Sequence, residues 1–235
     1  MNPSTLDVPS PVSDVGHDTR ERLLEAGLEI FAARGFQDAS LRQICAHAGT
    51  NSAAVNYHFG SKKAFYAEVL VTSHRRAVAS RRMPRLADDP QHPERVFRSW
   101  IRWFLELLLV QEASSPLGQL MAREMFAPTE ALEELARRSV LPIYRTVREL
   151  IEVLVADPSD PTPIDHLSLE RMVNSVMGQV LFYKHAQPAV TILRSLMEPD
   201  ASSHEPPGAD LDRLAQHITD FSIAGLRTGR FGDLA

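Results

Sequence analysis

Thr50, Asn51, Ser52 and Ala53, followed by Asn56, Tyr57, His58 and Lys62, gather small and hydrogen-bonding side chains into one short span. An Asn side chain can pair with the N6 and N7 edge of adenine, and Ser or Thr can bond several base edges. Ala53 leaves room for close approach. Tyr57, His58 and Lys62 suit phosphate oxygens, and so does Ser40, which opens the preceding helix where free backbone N–H groups attract anions. The same residues have a plainer reading. Thr, Ser and Asn near a helix start serve as caps, and Ser52 and Asn56 stand open between the two roles. His58 reads equally well as a buried, hydrogen-bonded linker between helices.

Such side chains read bases only if a helix presents them. Apolar Leu23, Gly27, Ile30 and Phe31 recur at helical spacing and predict a helix over Thr19–Arg34, ended by Gly35. Ser40 and Gln43 form a capping box for a second helix whose inner side is Leu41, Ile44, Cys45 and Ala48. Gly49 allows a sharp turn, and a third helix follows from about 51 to 58, capped by Thr50 or Asn51, with Val55 and Phe59 facing the core. A fourth starts near Lys62 and runs toward Arg82, with Phe65, Val69 and Leu70 inward and Pro84 as its stop. Two short helices joined at a glycine turn within about twenty residues have helix-turn-helix geometry.

The stretch RERLLEAGLEIFAARGFQDASLRQICAHAGTNSAAVNYHFGSKKAFYAEVL, residues 20–70, resembles the N-terminal domain of the TetR/AcrR regulators. LEIFAARGF, the AG turn and YHFGSK occur in one order and spacing, and VNYHFGSK with the later MGQVLFYK is similar to the CecR-like branch. The resemblance implies an all-α fold: an N-terminal three-helix helix-turn-helix DNA-binding domain, then a C-terminal helical-bundle domain for ligand binding and dimerisation. It implies base reading by Thr50 to Asn56 and phosphate contacts by Ser40, Tyr57, His58 and Lys62. Asn56 departs from the pattern, since many relatives carry an aromatic residue there. Packing, base reading and backbone contact all stay open for it.

The expected organisation is a disordered arm over 1–17, the helix-turn-helix domain over 18–65, and an effector-binding and dimerisation domain over 66–235. Beyond a Pro-containing acidic loop at 86–93, helices are expected at about 94–110, 116–126, 129–155, 165–186 and 209–228, with Pro142 kinking or splitting the third. Trp100, Trp103, Phe104, Leu107 and Leu108 form an apolar stripe, and Leu117, Leu120, Met121 and Met125 a second. Stripes of this kind are ordinarily bundle core. The family resemblance implies an effector cavity among these helices, for which Trp100, Trp103, Phe104, Met121, Arg123, Met125, Met177 and Phe182 are candidate lining residues. Arg123 and Glu124 are expected on a solvated face unless they turn inward to orient a ligand. The resemblance also implies a four-helix dimer interface from the last two long helices, whose apolar faces a monomer could equally bury itself.

Net charge is −5 overall, but residues 18–85 carry eleven Lys or Arg against six Asp or Glu. A basic end on an acidic body fits one nucleic-acid face on a sensor. The single cysteine excludes an intrachain disulfide and reads as a small core residue. The sequence start has no secretory pattern and no apolar run of about 18 residues occurs, so a cytoplasmic protein without a membrane span is expected. The nine histidines are scattered, with no nucleophile elbow, phosphate loop or dinucleotide fingerprint. No catalytic residue, metal or cofactor is expected. The expected function is a repressor, released from a palindromic operator on double-stranded DNA by a small apolar or aromatic effector. The alternatives are a helix-turn-helix protein acting through protein contacts and an enzyme with an unrecognised helical active site.

Overall fold

The computed structural model describes residues 12–109, 115–157, 159, 162–197 and 210–228. It is helical throughout, with no strand among the described residues. The chain forms two compact units. The first comprises residues up to Arg75 together with 113–138, and the second takes the remainder, so one boundary falls within the fourth helix.

The first unit opens with α1, Val12–Asp38. Helix therefore begins inside the segment expected as a disordered arm; residues 1–11 lie outside the described residues. Gly35 breaks α1 at φ 77, a backbone conformation that side chains with a Cβ disfavour. Helices α2, Leu41–His47, and α3, Ser52–Phe59, follow, and α4 runs over Lys62–Ala79. Gly27 lets α4 approach α1: a Cβ there would lie 2.7 Å from Phe65 Cζ and 2.8 Å from Val69 Cγ2. An aromatic cluster fastens the crossing. Phe31 meets Tyr66 edge-on at 4.9 Å and Phe65 at 5.6 Å, and Phe36 lies 5.1 Å from Tyr66. Also in this unit, α6, Pro116–Phe126, packs on α1, and α7 spans Glu130–Leu135.

Glu124 of α6 corrects the expected solvated face. It is 1% exposed and fully engaged: Tyr66 Oη donates to it at 2.7 Å, and Thr129 donates through both its backbone N, at 3.0 Å, and its hydroxyl. Burial and the Glu124 carboxylate both push the Tyr66 phenol upward, so Tyr66 stays a donor. A second network centres on Glu68 of α4, which accepts from Arg20 at 2.8 Å, Arg138 at 2.7 Å and Thr72 at 3.2 Å. Burial raises the Glu68 carboxyl, but these donors outweigh it and hold it below the usual range.

In the second unit α5, Pro93–Leu109, packs against α8, Leu141–Val155, α9, His166–His185, and α11, Leu211–Thr228. Trp100, Ile101, Leu105, Val147, Ile151, Val173, Val176 and Ile218 form the heart of its core. A 3-10 turn at Leu86–Asp88 precedes α5. The stretch 129–155, expected to be kinked or split at Pro142, divides into α7 and α8, with a π turn at Ala136–Val140 between them. Pro142 accounts for the split, because it has no N–H to offer the carbonyl four residues back. Helix α4 ends at Ala79 rather than near Arg82. The Ser80 hydroxyl bonds the Ala77 carbonyl at 2.7 Å, and the Trp103 indole takes the Arg81 carbonyl at 3.2 Å.

Helix α10, Gln187–Met197, was not expected. Pro188 reads as a stop, yet a proline in the first turn of a helix costs no hydrogen bond. None of its residues with described burial is buried.

Candidate nucleic-acid interface

The α2–turn–α3 segment is positioned by short-range chemistry. The Ser40 hydroxyl accepts from Gln43 N at 3.2 Å while Ser40 N donates to the Gln43 side chain at 3.1 Å, closing both halves of the capping box. The turn uses Gly49 at φ 62. Asn51 is the cap of α3, its side-chain oxygen accepting from Ala54 N at 3.2 Å. Inside, Val55, Ile44 and Cys45 are buried, and burial raises the Cys45 thiol. Phe59 lies 4.6 Å from Phe65 and carries the Arg20 guanidinium 5.4 Å from its ring.

With the inner side clamped, positions 52, 53, 56 and 57 share the outward face of α3, and all four are exposed along with Asn51. Tyr57 is 85% exposed, an unusual cost for an aromatic ring that no element of its own unit covers. Asn56 is exposed, so it does not pack in the core of its own unit. Thr50 and His58 are half-buried, and the His58 ring packs against Tyr57 at 4.9 Å. Lys62 is half-buried too. Its ammonium donates to the Gln37 carbonyl at 3.2 Å and sits 4.8 Å from the Phe36 ring, at the C-terminal end of α1.

One positioning residue escapes sequence reasoning. Arg22 of α1 donates to the Ala48 carbonyl at 3.2 Å and so ties the α2–α3 turn to α1. A basic residue on a helix carries no signal for a backbone partner 26 positions away.

Two family descriptions match the chain. "Bacterial regulatory proteins, tetR family" covers residues 23–69, and the C-terminal domain of "HTH-type transcriptional dual regulator CecR" covers residues 93–226, more than half of the sequence. The chain belongs to the TetR family, in its CecR-like branch. The dual regulator CecR of Shigella flexneri is 25% identical over 189 residues, 75% of this chain and 80% of that one. SrpR of Pseudomonas putida, a transcriptional regulator, is 47% identical over 45 residues, 19% of this chain and 21% of that protein. Among solved structures, NalD of Pseudomonas aeruginosa, the secondary repressor of the MexAB-OprM multidrug efflux pump, aligns with TM-score 0.52 at 21% identity, covering 90% of this chain and 97% of that one. A hemolysin II transcriptional regulator, HlyIIR, aligns with TM-score 0.53 at 17% identity, covering 87% and 99%. Both structural likenesses bear on the fold. As a TetR-family protein the chain is a DNA-binding transcriptional regulator, and its relatives are named as regulators rather than enzymes.

The candidate effector residues of this TetR-family chain separate. Trp100, Trp103 and Phe104 lie together in the core of the second unit, with Trp100 and Phe104 ring centroids 5.1 Å apart, and Met177 packs on the same core. Phe182 is on α9 of that unit but 56% exposed. Met121, Arg123 and Met125 belong to the first unit: Met121 is half-buried, Met125 is 54% exposed, and Arg123 reaches the Ala33 carbonyl at 3.5 Å. In the second unit a cleft of about 610 Å³ lies between α9 and α11, bordered by Arg171, Ser175, Gln179, Phe221 and Gly225. No helix of the described residues is long and apolar enough to cross a membrane. They also contain no group of three or more His, Cys, Asp or Glu able to hold a metal.

Proposed function

We propose that this regulator acts as a cytoplasmic homodimer that represses from a palindromic operator and is released by a small apolar or aromatic effector. The observation that carries the reading is the exposed polar face of α3 opposite a fully buried Val55. Asn51, Ser52, Ala53 and Asn56 face base edges, with Thr50 at the rim, and Tyr57, His58, Lys62 and the Ser40 hydroxyl take phosphates. The repressor direction has support from NalD, which is named a repressor; CecR is named a dual regulator.

Dimerisation uses α9 and α11. The faces expected for it are largely spent inside the second unit, but Leu167, Leu181, Phe182 and Phe221 stay exposed on the same two helices. This reading moves Phe182 from the effector set to the interface. Two copies place two recognition helices on half-sites about one DNA turn apart, or a multiple of it. The effector works by differential affinity for the conformer whose heads miss consecutive grooves. Trp100, Trp103, Phe104 and Met177 are its best-supported neighbours.

Footprinting upstream of the protein's own coding region, repeated across salt concentrations and a compound panel, tests the reading. A protected two-fold symmetric site, affinity falling steeply with salt, and release by an aromatic compound are expected. Absence of salt-dependent binding to any duplex returns the helix-turn-helix to a role in protein contacts.

A further inference from the structure

The second unit contains one buried polar atom that nothing satisfies. The Trp100 indole nitrogen has no hydrogen-bond partner, the sole such side-chain atom among the described residues, and Trp100 is 0% exposed. Its neighbour in sequence and space behaves differently: the Trp103 indole donates to the Arg81 carbonyl at 3.2 Å. A phenylalanine at position 100 would supply aromatic surface without leaving a donor unmet, and buried donors are almost always paired.

The rest of that interior is mostly apolar. Among the described residues of this unit the buried polar side chains are Ser139, Thr146, Thr219 and Ser222, none of them charged. Thr146 bonds the Pro142 carbonyl at 3.1 Å and Thr219 the Ala215 carbonyl at 2.6 Å, each within its own helix, while Ser222 accepts from Gln179. Around the indole stand the rings of Trp103 at 6.1 Å and Phe104 at 5.1 Å. None of these buried side chains offers an ionised ligand a counter-charge, and desolvating such a ligand would be costly.

From this we infer that the effector is an uncharged aromatic molecule bearing a hydrogen-bond acceptor such as a carbonyl, and that the Trp100 N–H donates to that acceptor. The inference rests on the proposed effector response and adds the chemical class to it.

The test uses the full chain with ¹⁵N-labelled tryptophan, which gives two indole resonances, since the sequence has two tryptophans. The probes are 2-acetylnaphthalene and its near-isostere 2-isopropenylnaphthalene, which differ in carbonyl oxygen against methylene. Without ligand, the Trp100 indole proton is expected upfield of the hydrogen-bonded Trp103 proton. The ketone moves it downfield and binds about tenfold tighter than the alkene, the worth of one hydrogen bond. In Trp100→Phe both probes bind alike. A Trp100 proton already downfield in the free chain, a ketone preference that survives Trp100→Phe, or failure of both probes to bind would each overturn the inference. Operator binding, measured by footprinting without any compound, stands or falls separately.

Discussion

Glu68 of α4 takes the Arg138 guanidinium at 2.7 Å across 70 residues of sequence, and the same carboxylate holds Arg20 of α1. One acidic side chain thus joins three separate stretches of the first unit. Its side chain is 20% exposed, so solvent screens it only in part. Glu68→Gln leaves two guanidiniums without a counter-charge and is expected to lower unfolding free energy by about 2 kcal/mol. A urea midpoint unchanged from wild type would show the network to be dispensable.

Tyr66→Phe tests the buried carboxylate. Glu124 keeps its two bonds from Thr129 and loses the phenol. A loss of about 1–2 kcal/mol is expected in denaturant titration. Glu124→Ala strands both the Tyr66 hydroxyl and the Thr129 amide and should cost more than Tyr66→Phe. The reverse order would mean that the carboxylate, not its donors, is the unfavourable partner.

Asn51 caps α3 and is also proposed to read a base, and substitution can separate the two. Its side-chain oxygen caps α3, while the amide nitrogen of the same group remains for a base edge. Asn51→Ala should lose about 1 kcal/mol of stability and change base preference. Asn51→Ser keeps the cap and should change base preference alone. By contrast, Tyr57→Phe and Lys62→Ala should weaken all operators alike, as phosphate contacts do. Operator selection from a randomised pool separates these cases, and uniform loss with Asn51→Ser would place Asn51 among the phosphate contacts.

His74 gives a pH signature. Burial pushes its imidazole down to about 4 from an ordinary 6.5, so the native state favours the neutral ring. Below pH 6.5 the unfolded chain takes up the proton first. Stability is therefore whole above 6.5 and falls as pH drops toward 4, by about 3 kcal/mol in all. His74→Phe should remove that slope while leaving the carboxylate-dependent loss at lower pH. Equal slopes in the two proteins, followed by thermal unfolding between pH 7 and 4, would refute the assignment.

Gly27→Ala probes the α1–α4 crossing. The new methyl would overlap the Phe65 and Val69 side chains, and overpacking of that kind costs about 1–3 kcal/mol. Phe65→Leu in the same chain should relieve part of that strain, and simple addition of the two losses would argue against the close approach.

Much of the head was legible because its signals are local. Ser40 and Gln43 lie three residues apart, Gly49 sits where the turn needs positive φ, and Val55 faces inward at helical spacing from its neighbours. What stayed hidden depends on partners distant in sequence. Arg22 and the Ala48 carbonyl, Glu124 and Tyr66, and Glu68 and Arg138 are pairs that periodicity cannot join. Helix α10 carries a proline, Pro188, in its first turn, where a proline costs no hydrogen bond. The apolar stripes of α9 and α11 were visible, but a stripe does not say whether it will cover its own core or another copy's, and here most of it covers its own.

Cys45 is the chain's single thiol, and it lies 3% exposed on the inner side of α2 with its ionisation suppressed by burial. The folded surface accordingly offers maleimide chemistry nothing to attack. A cysteine placed at will, Ser52→Cys on the exposed face of α3 or Phe221→Cys on α11, becomes the only address for a spin label or dye, with no native residue to remove first. Distances between the two copies of the proposed dimer, with and without an operator, are then open to direct measurement in the otherwise unaltered chain.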